Sequence, residues 1–404
     1  MNGGRGAFRL ALAAALVAVP MSMSMPVAHA QTFEGCLADL RKAALGNGIT
    51  AQTFDTAMAG VQPDPDILKA FGDQPEFTIP IWDYLSGLVD SERVADGRQR
   101  LQQWAQVLAE AEQKFGVDRH VIVAVWGVES DYGRIMGRRA LPRSLATLVC
   151  AGRRQAFFRG ELLATLRIVQ GGDIPLEALV GSWAGAFGQT QFMPTTWERI
   201  AVDFDGDGRR DIVGSVPDAL GSTANYLRRA GWVTGQPWGY EVRLPANYSG
   251  PSGRRTRQPL AQWSELGLRQ IDGSALTGPG PAGLLLPAGA KGPAFLVFRN
   301  FDAIFAYNAA ESYALAIAHL SDRLRGGGPF STAWPTDDPG LERAERREVQ
   351  QRLIDRGFDI GAPDGMIGPR TRAAISTFQT SIGQPANGRA GQRVLQALRA
   401  KPAN

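Results

Sequence analysis

The sequence is poor in the residues that build metal and redox centres. Its 404 residues include only two cysteines and three histidines, and these show no spacing typical of a zinc site. The chain also contains no motif for nucleic-acid binding and no internal repeat. A zinc centre, a nucleic-acid-binding module and a repeat architecture are therefore not expected.

Long hydrophobic runs are also missing. The apolar run from Leu10 to Val19 is too short to span a membrane. Arg5 and Arg9 precede it and the small residues Ala28–Ala30 follow it, which is the pattern of a secretory signal peptide. We expect an exported protein of the periplasm, cleaved near Ala30, with no transmembrane segment.

The two cysteines are Cys36 and Cys150. In an oxidising compartment they predict one disulfide that ties the start of the mature chain to a distant segment, the alternative being two separate buried thiols. Cys36 does not fit a lipidation site, because it follows the cleavage site and Phe33–Gly35 replaces the apolar residues expected there. The formal net charge of +4, carried largely by arginine, suits an anionic wall or membrane surface but specifies no partner.

Hydrophobic periodicity predicts a mainly α protein with a partly β insertion. Helical spacing dominates before residue 230 and returns after 300, whereas residues 235–300 are dense in Pro, Gly and Ser and contain short strand-like pieces. Glycine and proline at 326–342 predict a linker. We expect a signal peptide at 1–30, a main domain at 31–325 and a small three-helix domain at 343–399.

One glutamate, Glu129, follows an apolar helical segment that runs from Val117 to Val128. Burial makes a carboxylate costly to ionise and raises its pKa, so that a proton stays available near neutral pH. Such a carboxyl beside a cleft can protonate a glycosidic oxygen. The alternative is a glutamate that only caps a helix or forms an ion pair.

Two further segments carry neutral polar and aromatic groups. Residues 181–194 combine small residues with Ser182, Gln189 and Gln191; glycines permit close approach to a ligand, and the polar groups suit sugar hydroxyls and amides. Residues 305–313 place Tyr307, Asn308 and Tyr313 near a helix start, where aromatic faces could stack on sugar rings. Each segment alone also fits a purely structural role.

In combination and in this order, residues 127–137, 181–194 and 307–313 resemble the family 3 lytic transglycosylases. The resemblance covers roughly residues 33–325 and implies a lysozyme-like α domain that acts on peptidoglycan. It also implies that Glu129 is the catalytic acid and base. By the same match, the residues that line the glycan groove are Ser182, Gln191, Tyr307, Asn308 and Tyr313.

The sequence departs from the family pattern in two places. A more usual Tyr-Gly-Gln is replaced by Gln189-Thr-Gln191, and Tyr132 stands where Trp is common. The fine contacts of the groove are therefore less well defined by the resemblance than the catalytic residue.

Ordinary glycoside hydrolysis uses two carboxyl groups. The nearest second acid is Asp131, but two residues along a helix correspond to about 200° of rotation, so it is expected to face away. One carboxyl is consistent with the family reaction, in which the muramoyl 6-hydroxyl closes onto C1 to give a 1,6-anhydro sugar without water. The alternatives are a hydrolytic muramidase and a non-catalytic cell-wall-binding protein.

The acidic segment 203–211 is typical of a calcium loop. Oxygen ligands at loop positions 1, 3 and 5, Gly at position 6 and an acid at position 9 match an EF-hand, but position 12 is Gly214 instead of glutamate. Family members carry a calcium site in this place, and the alternative is a solvated turn. We expect a possible structural calcium and no cofactor for the chemistry. The predicted ligand set is Asp203, Asp205, Asp207, Arg209 (at the position that uses a backbone carbonyl) and Asp218.

The C-terminal residues 343–399 resemble the peptidoglycan-binding domain 1 family. The resemblance rests on residues 364–379 and on Asn387-Gly388, and Leu353, Ile375 and Phe378 are the expected core. The alternative is a generic small helical bundle. A domain of this family would hold the protein on its insoluble substrate and raise the local concentration. The expected partner is the peptidoglycan glycan strand, bound by a monomer.

Overall fold

Residues 32–70 and 78–400 are described by a computed structural model and form a mainly helical protein. The predicted signal peptide and its cleavage site lie outside the described residues. Within the described ranges, no helix is both long enough and apolar enough to cross a bilayer. The helices are Phe33–Gly46, Ala51–Met58, Pro65–Ala70, Ile81–Leu88, Ser91–Gln103, Ala105–Phe115, Arg119–Ser130, Leu141–Ala151, Gln155–Gly171, Pro194–Ile200, Val216–Arg229, Leu260–Glu265, Arg299–Asn308, Glu311–Arg325, Arg343–Ile354, Pro369–Ser381 and Gln392–Ala400.

The predicted partly β insertion is a five-stranded antiparallel sheet. Two of its three inner strands, Ala282–Leu285 and Ala294–Val297, are buried along their whole length, which explains why they form continuous apolar runs in the sequence. A separate two-stranded ladder pairs Arg139–Ala140 with Val180–Gly181. In spatial order the five strands are Gly253–Gln258, Ala282–Leu285, Ala294–Val297, Gly239–Arg243 and Arg269–Gln270.

The helical part of the main domain has two hydrophobic clusters. One surrounds the helix Arg119–Ser130, hereafter the Glu129 helix, and the helix Glu311–Arg325. The other joins the N-terminal helices to Leu141–Ala151 and Gln155–Gly171. Tyr226 and Tyr307 pack against both clusters. The predicted mainly α, lysozyme-like fold is confirmed, and its two clusters meet beside these tyrosines.

The predicted disulfide is present. Cys36 and Cys150 are bonded, with their Cα atoms 5.8 Å apart across a sequence separation of 114 residues. The bond joins the first described helix to Leu141–Ala151, inside the second cluster. A covalent link across so long a loop stabilises the fold mainly by restricting the unfolded chain.

The C-terminal helices enclose a small core of their own, which includes Leu353, Ile375 and Phe378 as predicted. Residues before this core do not form a free tether. The backbone N–H groups of Ser331 and Thr332 donate to the carboxylate of Glu241 at 2.7 and 2.8 Å. The ring of Phe330 stacks on His319 with centroids 3.8 Å apart. The segment predicted as a linker therefore packs along the main domain.

Candidate active site

Glu129 lies in the last turn of the Glu129 helix and is half-buried. Asp118 begins this helix by accepting a hydrogen bond from the backbone N–H of His120 at 2.8 Å. The side chains from Val121 to Trp126 are buried all round, which fixes the helix axis inside the core. The carboxyl thus emerges from a rigid element at the edge of the core.

The hydroxyl of Tyr313 donates a hydrogen bond to Oε1 of Glu129. Tyr313 lies in the first turn of the helix Glu311–Arg325 and is 3% exposed. Burial, and next the negative charge of Glu129, raise the pKa of Tyr313 well above its usual value. The phenol therefore stays protonated and keeps its role as donor to the carboxyl group.

An aromatic wall continues from this hydrogen bond. Tyr307 stacks beside Tyr313 with ring centroids 6.3 Å apart, and Tyr226 lies 4.6 Å from Tyr307. Phe192 contacts both Tyr226 and Tyr307. The Tyr307 hydroxyl donates to the backbone oxygen of Thr190 at 2.7 Å. Tyr226 and Tyr307 are only partly buried, and exposed aromatic rings suit the faces of sugar rings.

Tyr307 and Asn308 end the helix Arg299–Asn308, whereas Tyr313 begins the next helix. The expectation that all three lie near one helix start was therefore wrong. The two helices are separated by a sharp turn in which Ala309 adopts a left-handed conformation, with φ of 47°. Asn308 is exposed, so its side chain faces outward from the wall of rings.

The Gly-rich segment 181–194 folds back on itself beside the Glu129 helix. The hydroxyl oxygen of Ser182 accepts a hydrogen bond from the Ala186 N–H at 3.0 Å. A side chain at Gly137 would place its Cβ 2.1 Å from the backbone of Gly181, so glycine is required where the two chains meet. This close approach brings the Gly-rich segment next to the loop that follows the Glu129 helix.

Gln191 ties this segment to the loop after the Glu129 helix. It has a φ of 51°, and its side-chain amide donates to the backbone oxygens of Gly188 at 2.8 Å and Met136 at 3.1 Å. The amide oxygen is not used by another described residue. Gln191 can therefore hold the loop with its nitrogen and accept from a ligand with its oxygen.

Gln189 does not offer its side chain to a ligand, which corrects the interpretation made from the sequence. It is 7% exposed, its Oε1 accepts from the Trp126 indole at 2.9 Å, and its Nε2 donates to the Val213 oxygen at 3.3 Å. The hydroxyl of Ser130 donates to the backbone oxygen of Gln189. Gln189 therefore connects the Glu129 helix to the Gly-rich segment.

The carboxylate of Asp131 is bound by Arg134 and Arg343, and the helical rotation used to predict its direction does not apply. The helix ends at Ser130, and Asp131 and Tyr132 both adopt left-handed conformations, with φ of 53° and 59°. Burial raises the pKa of Asp131, but hydrogen bonds from Arg134 and Arg343 outweigh it and lower the pKa to about 2. Asp131 is thus a permanently ionised ion-pair partner and not a second catalytic acid.

Tyr132, which departs from the family pattern, is buried below the helix end. Its ring meets Trp126 edge-on, and its hydroxyl donates to the backbone oxygen of Arg93 at 2.8 Å. A Cβ at Gly127 or Gly97 would lie within 2.8 Å of the tyrosine side chain. These glycines make room for the ring, and the ring packs under the turn that carries Glu129.

The acidic loop lies at the start of the helix Val216–Arg229. Ligand atoms of Asp203, Asp205 and Asp218 lie within 4.8 Å of one another. Asp218 is fully buried, and its oxygens accept from the backbone N–H groups of Phe204 and Asp211, both at 2.7 Å. Burial raises the pKa of Asp218. Three carboxylates so close together form a donor set that fits a hard cation such as calcium.

One predicted side-chain ligand, Asp207, does not join this cluster. The carboxylate of Asp207 accepts hydrogen bonds from the Arg209 side chain, and these lower the pKa of Asp207. Both residues are exposed. A Cβ at Gly214, the position of the missing glutamate, would lie 2.6 Å from the Asp211 carboxylate. The structure therefore brings together Asp203, Asp205 and Asp218 and places the Asp207 side chain with Arg209 instead, while the backbone oxygen of Arg209 stays a predicted ligand.

Sequence reasoning missed two residues near the site. Tyr226 belongs to the aromatic wall, but in the sequence it is one of several apolar residues on its helix. Arg343 reaches Asp131 from the C-terminal domain at 3.0 Å. No local signal marks either residue, because both contacts join segments far apart in the chain.

Comparison with known proteins places both parts of the chain in described families. Residues 32–322 match the family described as "Transglycosylase SLT domain", and residues 342–398 match "Putative peptidoglycan binding domain". The membrane-bound lytic murein transglycosylase B of Escherichia coli K12 is 35% identical over 247 residues, which is 60% of this chain and 66% of that protein. This chain therefore spans about two thirds of that relative's length.

Two solved structures are similar over most of the chain. SltB3 of Pseudomonas aeruginosa in complex with NAG-anhNAM-pentapeptide has 50% identity and a TM-score of 0.74, covering 92% of this chain and 100% of that chain. SLT35 of Escherichia coli in complex with calcium has 30% identity and a TM-score of 0.64, covering 72% of this chain and 92% of that chain.

Proposed function

The chain belongs to the family of the transglycosylase SLT domain, and we propose that it is a peptidoglycan lytic transglycosylase with Glu129 as its single acid and base. It cleaves the β-1,4 bond between N-acetylmuramic acid and N-acetylglucosamine and leaves a 1,6-anhydromuramoyl end. The ligand of SltB3 carries the anhydro form of the muramoyl sugar, and the Escherichia coli relative is a lytic murein transglycosylase, which supports this product.

The observation that carries the proposal is the hydrogen bond from Tyr313 to Glu129 beside the aromatic wall. The phenol fixes Oε1 as an acceptor, so the exchangeable proton of Glu129 belongs on its other oxygen. Asp131, the neighbouring acid, is occupied by arginines. With that acid committed to arginines, one oriented carboxyl fits a reaction that needs no second acid.

In the first step the protonated Glu129 gives its proton to the glycosidic oxygen while the bond from that oxygen to C1 of the muramoyl sugar breaks. In the second step the resulting carboxylate takes the proton of the 6-hydroxyl, whose oxygen closes onto C1. Glu129 regains its proton and water is not consumed. One group therefore serves as acid and as base in a single turnover.

The glycan groove is lined by the predicted residues and by Tyr226. Tyr307 presents its ring to sugars with Tyr313 stacked beside it, while Gln191 offers the amide oxygen that no other described residue uses. Ser182 holds the tight turn of the Gly-rich segment, and the exposed Asn308 lies at the rim. We expect the aromatic residues to contribute most of the binding free energy, because stacking buries apolar area and also orients the sugar.

A structural calcium ion is bound by Asp203, Asp205 and Asp218. Its double charge would balance the three carboxylates and hold the loop to the following helix. SLT35, which is similar to this chain, was solved with calcium, and the buried Asp218 takes the place of the missing glutamate at loop position 12. The loop is a separate part of the chain from Glu129, so the ion supports the fold.

The domain order is a signal peptide at 1–30, the catalytic domain at 31–325, a connecting segment at 326–342 and a wall-binding domain at 343–399. The protein acts as a monomer in the periplasm, where the last domain keeps it on its insoluble substrate. A chain that ends at Gly328 is expected to pellet less with purified sacculi than the full chain. Equal pelleting would contradict the wall-binding role.

Digestion of purified sacculi followed by mass measurement of the muropeptides tests the reaction. A transglycosylase releases anhydromuramoyl products, which are lighter by one water than the reducing ends that a hydrolytic muramidase releases. Products of the heavier mass would contradict the proposed cyclisation. Binding without any soluble product would indicate a non-catalytic wall-binding protein.

A further inference from the structure

The C-terminal domain docks on the catalytic domain through its first helix, Arg343–Ile354, hereafter the docking helix. Arg347 binds the carboxylate of Glu92 through two hydrogen bonds. The hydroxyl of Ser91 donates to Glu342 at 2.6 Å. These contacts join the docking helix to the start of the helix Ser91–Gln103 and orient the two domains.

Arg343 reaches further than its neighbours. Its Nη1 and Nη2 donate to the two carboxylate oxygens of Asp131 at 3.1 and 3.0 Å, a bidentate geometry that fixes both partners. The two side chains are 15% and 7% exposed, so solvent screens this pair little. Arg343 therefore binds a residue only two positions after Glu129, although it belongs to the other domain.

Asp131 also anchors the end of the Glu129 helix from inside the catalytic domain. It accepts from Arg134 at 3.0 Å and lies 3.4 Å from Arg93. Arg93 in turn donates to the backbone oxygen of Gly127 at 3.0 Å, in the last turn of the helix. The carboxylate of Asp131 is thus the point at which the helix end, its left-handed turn and the docking helix are joined.

The docking helix supplies three of the five positive charges at this junction. Five arginines meet four acids there: Arg93, Arg134, Arg343, Arg346 and Arg347 against Asp90, Glu92, Asp96 and Asp131. Without the docking helix, two arginines would face four acids. Asp90 is buried, and its Oδ2 accepts no hydrogen bond from a described residue. The charges nearest to that oxygen are those of Arg343 and Arg346, at 3.6 and 3.8 Å.

The turn held by this junction is unusual for its residues. Asp131 and Tyr132 are consecutive non-glycine residues in the left-handed region, a conformation that persists only when its surroundings enforce it. Arg343 supplies part of that enforcement from outside the catalytic domain. A relaxed turn would change the direction in which the last helical turn presents Glu129.

We propose that Arg343 is a positioning residue for the reaction, which through Asp131 holds the Glu129 helix end in its productive geometry. The inference rests on the proposed function of Glu129. It makes the wall-binding domain part of the catalytic unit as well as a tether. The contact between Arg343 and Asp131 then raises the turnover number even for substrates too short to reach the wall-binding surface of that domain.

The test compares Arg343→Ala with Arg347→Ala in the full chain, using a short soluble glycan purified from sacculi. Arg347→Ala is the control, because it removes an ion pair that the same helix makes with Glu92 and not with Asp131. This pair is more exposed than that of Arg343, with 38% exposure for each side chain. Arg343→Ala is expected to lower kcat by about 10- to 100-fold, the scale of a small misplacement of a catalytic group, with KM little changed. Arg347→Ala is expected to keep the parental kcat.

Two further variants separate positioning from general loss of structure. Arg343→Lys keeps the charge but not the bidentate fork and is expected to recover only part of kcat. In an Asp131→Asn background, Arg343→Ala is expected to cause little further loss, because the two residues act as a pair. If Asp131→Asn does not fold, the test is the difference in kcat between Arg343→Ala and Arg347→Ala, provided that the two variants have similar melting temperatures.

Parental kcat in Arg343→Ala, or an equal loss in Arg347→Ala, would overturn the inference. The mass of the products of the parent chain tests the proposed function separately. A parent that releases reducing ends would refute the transglycosylase while leaving a slow Arg343→Ala variant as support for positioning. A parent that releases anhydro products beside an unimpaired Arg343→Ala variant would refute the positioning role alone.

Discussion

Two regions of this protein gather carboxylates, and they satisfy them in different ways. At the end of the Glu129 helix the donors are side chains: Tyr313 for Glu129, and arginines for Asp131. In the acidic loop the donors are mainly backbone N–H groups, such as those of Gly206 and Gly208 on Asp203. The first region balances its charges within the protein, whereas the second leaves several acids facing one another.

This difference predicts a role in catalysis for the first region and a role in stability for the second. The carboxyl of Glu129, which accepts a hydrogen bond from Tyr313 beside the aromatic wall, is suited to give and retake a proton. Backbone N–H groups hold the carboxylates of the acidic loop in place, so their mutual repulsion is not relieved by moving one side chain. Such a cluster is suited to bind a cation. We therefore expect changes in the first region to alter turnover and changes in the second to alter melting.

The largest expected effect is that of Glu129→Gln. The amide keeps the shape of the side chain but cannot give and retake a proton, so turnover is expected to fall by more than the roughly 10²–10⁴-fold that acid–base catalysis supplies. The release of anhydromuropeptides from sacculi measures it. The melting temperature is expected to stay close to that of the parent. A variant that digests sacculi at the parental rate would contradict the single-carboxyl mechanism.

Tyr313→Phe is expected to have a smaller effect in the same region. The ring and its packing remain, but the hydrogen bond to Glu129 is lost, and a hydrogen bond to a charged group is worth roughly 1.5–3 kcal/mol. We expect kcat to fall by about 10- to 100-fold on soluble glycan. Tyr226→Phe is the matched control, because its hydroxyl donates to the backbone oxygen of Ala306 and not to Glu129. An equal loss in both variants would place the effect in the aromatic wall.

Local patterns predicted much of this arrangement from the sequence. The apolar segment before Glu129 forms the expected buried helix, and the run of acids forms a loop in which Asp203, Asp205 and Asp218 converge. These features depend on neighbours in the chain, so spacing is enough to reveal them. The prediction for Asp131 used helical rotation, but the chain leaves the helix at that residue.

The contacts that join distant segments could not be predicted in the same way. Tyr313 and Glu129 are 184 residues apart, and Arg343 and Asp131 are 212 apart. With 43 basic residues in the chain, no pattern singles out the arginine that meets Asp131. The role of Gln189 was misjudged for a related reason, because its amide is consumed by Trp126 and Val213. Which polar groups remain free for a ligand depends on tertiary contacts.

The smallest expected effect concerns the acidic loop, and it tests the second half of the comparison. Without a glutamate at loop position 12, we expect weak calcium binding, at about 10⁻⁴–10⁻³ M. By mass action, millimolar calcium is then expected to raise the melting temperature by only a few degrees. Magnesium is expected to raise it less, because its strict octahedral geometry fits this loop poorly.

The structure indicates which aspartate to change. Asp205 belongs to the cluster, whereas Asp207 is bound to Arg209 outside it. Asp205→Asn is therefore expected to abolish the calcium-dependent rise in melting temperature, and Asp207→Asn, the matched control, to keep most of it. Both variants are expected to retain lytic activity, since the loop is bound to Asp218 at the start of the helix Val216–Arg229 and not to the segment that carries Glu129. A parent melting curve that responds to neither calcium nor chelator would instead identify these aspartates as a solvated turn.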